Sequence, residues 1–144
     1  MTAGRWLASL LLGFVFTSGL NWFVAEKLLN PMIRPGLGPL MRTAGDTQVG
    51  VLSGGFALIV AVLAVLLAIV RVPHGWLARG VAVGGLLSVA AFFGTYTFLS
   101  GWTVLPTAEM CRTALADTAT VIAGAVVISF VQGYGRAGGA GTGG

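Results

Sequence analysis

The sequence predicts an all-α protein, a four-helix transmembrane bundle with a long Pro/Gly-rich interfacial first loop. Only 8% of its 144 residues are charged and 56% are hydrophobic, whereas about a quarter of the residues of an ordinary soluble domain are charged. The apolar residues also lie in long uninterrupted runs, and tryptophans lie near the ends of these runs. Because so few charges could not cover a globular surface with well-solvated groups, we expect an integral membrane protein.

Four apolar runs are each about as long as the roughly 20 helical residues that cross a bilayer. We place the spans at about 6–25, 49–70, 80–101 and 113–134. The first run is too long for the apolar part of a usual signal peptide, so we expect it to be a span. We expect residues 1–135 to form a single domain, and residues 136–144 to form a flexible Gly-rich tail.

The tryptophans independently support these boundaries. Trp6 and Trp22 bracket the first span, Trp76 precedes the third, and Trp102 closes it. The amphipathic indole ring prefers the level of the lipid headgroups, so tryptophans at span ends form the expected interfacial belts.

Four spans place both termini on one side of the bilayer, which we name face A; face B carries the first and third loops. Each face has four basic residues, so the positive-inside rule predicts no orientation. The acidic residues all lie at face B: Glu26, Asp46, Glu109 and Asp117. Because the basic residues are scattered beside apolar runs, we expect them to meet lipid headgroups and not nucleic acid. We expect a multi-pass protein of the bacterial inner membrane.

The first loop, residues 26–48, carries prolines at positions 31, 35 and 39. Proline at every fourth position repeatedly removes helix donors, so we predict that residues 30–39 are ordered but non-helical. Unpaired backbone is costly in lipid, which favours a position along the interface, packed on the bundle or on a partner. The segment is either a connector that follows the surface or a docking surface for a partner or lipid, with candidate residues Met32, Ile33, Arg34, Leu37 and Leu40.

Asp117 is the only acidic or basic residue within the four predicted spans. Charged groups are costly in a membrane and often mark function there. Matching depth from face B groups Asp117 with hydrogen-bonding side chains on all four helices, namely Asn21, Ser53, Tyr96 and Thr113. This polar layer is either an interhelical hydrogen-bond network or a cavity for a proton, an ion or a headgroup.

Small residues at four-residue spacing predict close contacts between helices. They occur on the third span as Gly80 and Gly84 and on the second as Gly50 and Gly54. Such faces let two helix backbones approach closely and gain van der Waals contact.

The sequence contains no familiar catalytic motif. Its single cysteine, Cys111, and single histidine, His74, cannot supply a disulfide, a thiolate zinc site or paired haem ligands. We therefore predict no catalytic residue, no cofactor and no metal site. The expected function is a non-enzymatic subunit or scaffold of a larger membrane complex, which contacts the lipid bilayer and either other subunits or copies of itself. Two alternatives remain: a small oligomeric transporter or channel that uses the polar layer around Asp117, and a lipid-modifying enzyme.

Three segments, GLNWFVAEKLLNPMIRPGLG, WLARGVAVGGLLSVAAFFGTYTFLSG and ATVIAGAVVISF, together resemble a family of small four-span bacterial integral membrane proteins of unknown function. The resemblance extends over nearly the whole chain. It implies a four-helix fold and no catalytic residues.

Overall fold

A computed structural model describes residues 2–37, 48–70 and 75–133. In this part of the chain every regular element is a helix and no strand occurs, which confirms the all-α prediction. Four helices are long and apolar enough to cross a membrane: Ala3–Ile33, Val49–Ile69, Gly75–Gly101 and Thr107–Gly133. The predicted flexible tail, residues 136–144, lies outside the described residues.

Two of the four helices contain a π-helical segment, and we name their parts separately. The first helix consists of α1, a first π segment and α2; α3 follows; α4, a second π segment and α5 form the third helix; α6 is the fourth. In chain order the elements are α1 (Ala3–Val24), the first π segment (Ala25–Leu29), α2 (Asn30–Leu37), α3 (Val49–Ile69), α4 (Gly75–Ser88), the second π segment (Val89–Gly94), α5 (Thr95–Trp102) and α6 (Thr107–Gly133).

Helix α6 is the centre of the bundle. It packs against α1, α3 and α4, and near face B also against α2, α5 and both π segments. Helix α3 lies between α1 and α4, which do not pack against each other in the described part of the chain. The fully buried side chains of this core include Val60, Leu63, Ala64, Leu67, Ala114, Val121, Ala125 and Ile128.

Glycines allow α4 and α6 to pack closely. A Cβ atom at Gly80 would lie 2.7 Å from the Cα of Val126, and one at Gly84 would lie 2.7 Å from the Cβ of Ala125. The close contact predicted for the third span is therefore confirmed. The small residues of α3 behave differently, because a Cβ at Gly50 or Gly54 would meet nothing within 4 Å.

The predicted non-helical conformation of residues 30–39 is wrong for Asn30–Leu37, which forms α2; residues 38 and 39 lie outside the described residues. The helix continues because one stripe of α2 is buried. Ile33 and Leu37 form a second hydrophobic cluster with Leu29 and with Met110 of α6. The prolines at positions 31 and 35 are exposed on the other side of α2, so the buried stripe keeps its packing despite the missing donors.

The first π segment immediately precedes these prolines. In it the Asn30 N–H donates to the carbonyl of Ala25, five residues earlier. Local π geometry is one way in which a membrane helix accommodates proline and satisfies its backbone groups again. The first helix thereby continues beyond the predicted end of its span.

Buried and half-buried residues follow a four-residue spacing along both π-containing helices. In an α-helix each four-residue step overshoots a full turn by about 40°, so a long stripe would drift around the helix. A π segment has more residues per turn and offsets part of that drift. The stripes are Ser9, Gly13, Thr17, Asn21, Ala25, Leu29, Ile33 and Leu37 in the first helix, and Gly80, Gly84, Ser88, Phe92 and Tyr96 in the third.

The first, third and fourth helices are longer than a bilayer core of about 30 Å requires. The 31 residues of Ala3–Ile33 measure about 46 Å, and the 27 residues of α6 measure about 40 Å. With Trp6 at the face A headgroups, about 20 residues bring the first helix to the other surface near Glu26. The cluster around Ile33 then lies beyond the hydrocarbon at face B.

Candidate functional site

Asp117 lies on α6 between two other helices. The Nδ2 atom of Asn21, on α1, donates to Asp117 Oδ1 at 2.8 Å. The hydroxyl of Tyr96, on α5, donates to Asp117 Oδ2 at 2.8 Å. Each carboxyl oxygen therefore accepts a hydrogen bond from a different helix, and the side chain joins three helices.

Thr120 completes this cluster from within α6. Its hydroxyl donates to the backbone carbonyl of Asp117 at 2.9 Å and lies 3.2 Å from Asn21 Nδ2, which donates to it. Thr120 is fully buried. The Asn21 amide thus bridges two side chains of α6 that lie almost one turn apart. We name Asp117, Asn21, Tyr96 and Thr120 the Asp117 cluster.

The structure brings together three of the five residues predicted for the polar layer: Asp117, Asn21 and Tyr96. Thr113 bonds within its own helix, where its hydroxyl donates to the Glu109 carbonyl at 2.9 Å. Among the described residues Ser53 makes no hydrogen bond with the Asp117 cluster, and α3 does not pack against α5, which carries Tyr96. Thr120 was missed, although its position three residues after Asp117 places both side chains on one side of α6.

Several hydroxyl groups near the cluster are buried without a hydrogen-bond partner: those of Thr17, Ser18 and Thr118. Thr17 has a packing explanation, since its side chain lies against Gly124, where a Cβ would overlap it. Ser18 lies three residues before Asn21, and Thr118 directly follows Asp117. These two hydroxyls could each accept or donate one further hydrogen bond.

The candidate docking residues of the first loop divide between two sides of α2. Ile33 and Leu37 are buried against α6 in a cluster with Met110, so they dock this segment onto its own bundle. Met32 faces outward and is 55% exposed. The side chain of Arg34 and the whole of Leu40 lie outside the described part of the chain.

A second polar arrangement, not foreseen in the sequence, lies at the face A end of α6. Arg79 Nε donates to the Ser129 hydroxyl at 3.1 Å, and Arg79 Nη2 donates to the Ser129 carbonyl at 3.3 Å. The Ser129 hydroxyl in turn donates to the Trp76 carbonyl at 2.7 Å. From α1, Arg5 Nη2 donates to the Val131 carbonyl at 3.4 Å. In the sequence, the signal for this arrangement was Ser129, a polar residue within the last apolar turns of α6.

The chemistry of the Asp117 cluster is that of a hydrogen-bond network. The carboxyl group accepts from an amide and a phenol, the Thr120 hydroxyl bonds to the backbone carbonyl of the same residue, and no basic side chain bonds to the carboxyl group in the part of the chain that the structure describes. Within the same ranges no three His, Cys, Asp or Glu residues are grouped so as to hold a metal ion. Cys111 is a half-buried free thiol. This arrangement is suited to fixing the positions of helices.

Comparisons with protein-family models, with curated proteins and with solved structures find no match to this chain. The resemblance to a four-span bacterial family stays a prediction.

Proposed function

We propose that this protein is a non-enzymatic membrane subunit or scaffold that assembles with other membrane proteins or with copies of itself. The observation that carries the proposal is the hydrogen bonding of Asp117, whose two carboxyl oxygens accept from Asn21 and Tyr96 at 2.8 Å. The only acidic residue within the predicted spans is thereby used to tie α1, α5 and α6 together.

The energy of this tie is modest, and its main effect is on helix register. Interhelical hydrogen bonds in membranes contribute about 0.6 kcal/mol each on average. Sliding α6 by one turn along α1 would separate Asp117 from Asn21 and leave polar groups unsatisfied in an apolar medium, which costs more than a missing bond in water. A defined register is what a scaffold needs in order to present a fixed outer surface.

The face B half of α3 is the surface that this proposal assigns to assembly. A Cβ atom at Gly50 or Gly54 would meet none of the described residues within 4 Å, and Val51 and Leu58 are largely exposed. Two small residues four positions apart let a further helix approach closely, as Gly80 and Gly84 do towards α6. The proposal places a helix of another subunit or of a second copy against this half of α3.

The exposed side of α2 supports the same proposal. Leu28 and Met32 are both more than half exposed, on the part of the first helix that extends beyond Glu26. Apolar side chains that leave the hydrocarbon without cover are typical of contact sites. A partner at face B would cover them.

Native mass spectrometry after extraction in a mild detergent tests the proposal. We expect one defined species larger than the monomer. Gly54→Leu should dissociate it, since the larger side chain would keep a second helix away from α3. Gly19→Leu is the matched control, because Gly19 on α1 is also exposed and also has nothing within 4 Å. A monomer at all protein concentrations, or equal dissociation by both variants, would contradict the proposal.

One observation favours a second candidate, a small oligomeric transporter or channel. The hydroxyls of Ser18 and Thr118 are buried without partners on the two helices that carry Asn21 and Asp117, and a water molecule or an ion would satisfy them. Liposomes containing the purified protein decide between the candidates. Proton- or ion-coupled flux that Asp117→Asn removes, with assembly intact, would establish transport.

A further inference from the structure

Beyond the proposed function, we infer that the face A end of the bundle binds anionic phospholipid headgroups, with Arg5 and Arg79 as its structurally defined basic residues. The inference begins with the distribution of charge. The four arginines assigned to face A are accompanied by no Asp or Glu, whereas four acidic residues balance the four basic ones assigned to face B. The formal net charge of +4 is therefore concentrated at one end.

The structure places two of these arginines over the last turns of α6. Arg5 reaches the Val131 carbonyl from α1, and Arg79 reaches both oxygens of Ser129 from α4. Both side chains are half-buried. The other two face A arginines, at positions 71 and 136, lie outside the described residues and are not part of the proposed site.

Helix dipoles do not cancel this charge. A helix terminus acts as about half an elementary charge, positive at the N-terminus and negative at the C-terminus. Face A holds the N-termini of α1 and α4 and the C-termini of α3 and α6, so the four contributions sum to about zero. The two guanidinium groups therefore leave this end positive.

Aromatic residues indicate the depth at which these guanidinium groups lie. Trp6 follows Arg5 directly, and Trp76 packs edge-on against Phe130 with ring centroids 5.1 Å apart. Indole rings prefer the headgroup level. Arginines beside them are then level with lipid phosphates, which guanidinium groups bind as paired donors. We commit to a phospholipid phosphate as the ligand, because the basic groups adjoin apolar helix ends that carry Trp6 and Trp76.

Lipid titration of the purified full chain in detergent tests this inference, with phosphatidylglycerol, phosphatidylcholine and inorganic phosphate as three separate additives. Thermal unfolding and native mass spectrometry measure stabilisation and retained lipid. We expect phosphatidylglycerol alone to stabilise the protein and remain bound. In Arg5→Gln its apparent affinity should fall about fivefold, the factor that corresponds to about 1 kcal/mol for one basic residue at a membrane surface.

The matched control is Arg112→Gln, which removes the same charge at face B, where the Arg112 side chain is half exposed and lies 3.9 Å from Glu109. Its phosphatidylglycerol affinity should equal that of the wild type. Should Arg5→Gln fail to fold, the salt dependence of wild-type stabilisation replaces it, since a headgroup contact weakens as salt is added. Equal stabilisation by phosphatidylcholine, equal loss in Arg112→Gln, no salt dependence, or stabilisation by inorganic phosphate alone would each overturn the inference.

Discussion

Helices α3 and α6 differ in a way that runs against the usual relation between apolarity and burial. Helix α3 is the most apolar of the four candidate spans, yet its face B half has few neighbours in the described part of the chain. Helix α6 carries Asp117, Thr120 and Ser129, and it has the largest buried share of the four spans.

The difference follows from the solvent. Lipid tails are as apolar as a leucine side chain, so burying leucine between helices gains little hydrophobic free energy in a membrane. Helices associate there through close packing of small residues and through interhelical hydrogen bonds. In this bundle Gly80 and Gly84 supply the first kind of contact with α6, and the Asp117 cluster supplies the second. The position of a helix in the bundle is thus set by its small and polar residues.

The largest expected effect compares two leucines of α3. Leu63 is fully buried and Leu58 is 67% exposed. Leu63→Ala should lower the free energy of unfolding by about 2–3 kcal/mol, the low end for buried leucine, because the cavity cost remains while the transfer cost is small in lipid. Leu58→Ala should change it by less than about 0.5 kcal/mol. Unfolding in mixed micelles, followed by circular dichroism, measures both. Similar losses in the two variants would mean that the exposed half of α3 is packed.

The second effect concerns glycines and sharpens the same contrast. Gly80→Ala should destabilise the bundle by about 1–2 kcal/mol, because its Cβ would lie 2.7 Å from the α6 backbone at Val126 and force the helices apart. Gly54→Ala has open space and should be neutral or slightly stabilising in the monomer, since alanine favours helix. The same unfolding titration measures both substitutions. If Gly80→Ala proved neutral, the close contact between α4 and α6 would be refuted.

A smaller effect is expected in the Asp117 cluster. Asp117→Leu removes the acceptors for Asn21 and Tyr96 and should lower the free energy of unfolding by about 1 kcal/mol, or roughly two interhelical bonds. Tyr96→Phe removes one of them and should cost about half as much. An effect of Tyr96→Phe larger than that of Asp117→Leu would show that the hydroxyl has a second role.

The number of helices was predictable, because a bilayer requires about 20 apolar residues for each span. The contact between Asp117 and Asn21 was also predictable, because both lie at similar distances from face B. Ser53 lies at a similar depth and was wrongly expected to join them. The depth of a residue determines its position along the membrane normal but not its lateral position in the membrane plane. The lateral position of α3 depends on packing that one sequence does not specify.

The conformation of α2 could not be predicted from local rules. Prolines at positions 31 and 35 favour a break, and only the burial of Ile33 and Leu37 against α6 explains why the helix continues. A four-residue spacing of small and apolar residues from Ser9 to Leu37 was visible in the sequence. It is the one signal that could have predicted a single long helix.

The central claim, that Asp117 is a structural tie between helices, is tested most directly by Asp117→Asn measured for stability and for flux together. Asparagine keeps the shape of the side chain and removes its charge; its Oδ1 still accepts from Asn21, while its Nδ2 donates to the Tyr96 hydroxyl, which then accepts. We predict that unfolding and assembly change by less than about 0.5 kcal/mol, and that neither wild-type nor variant liposomes show proton- or ion-coupled flux. Coupled flux in wild-type liposomes that Asp117→Asn abolishes, with the assembly intact, would contradict the account.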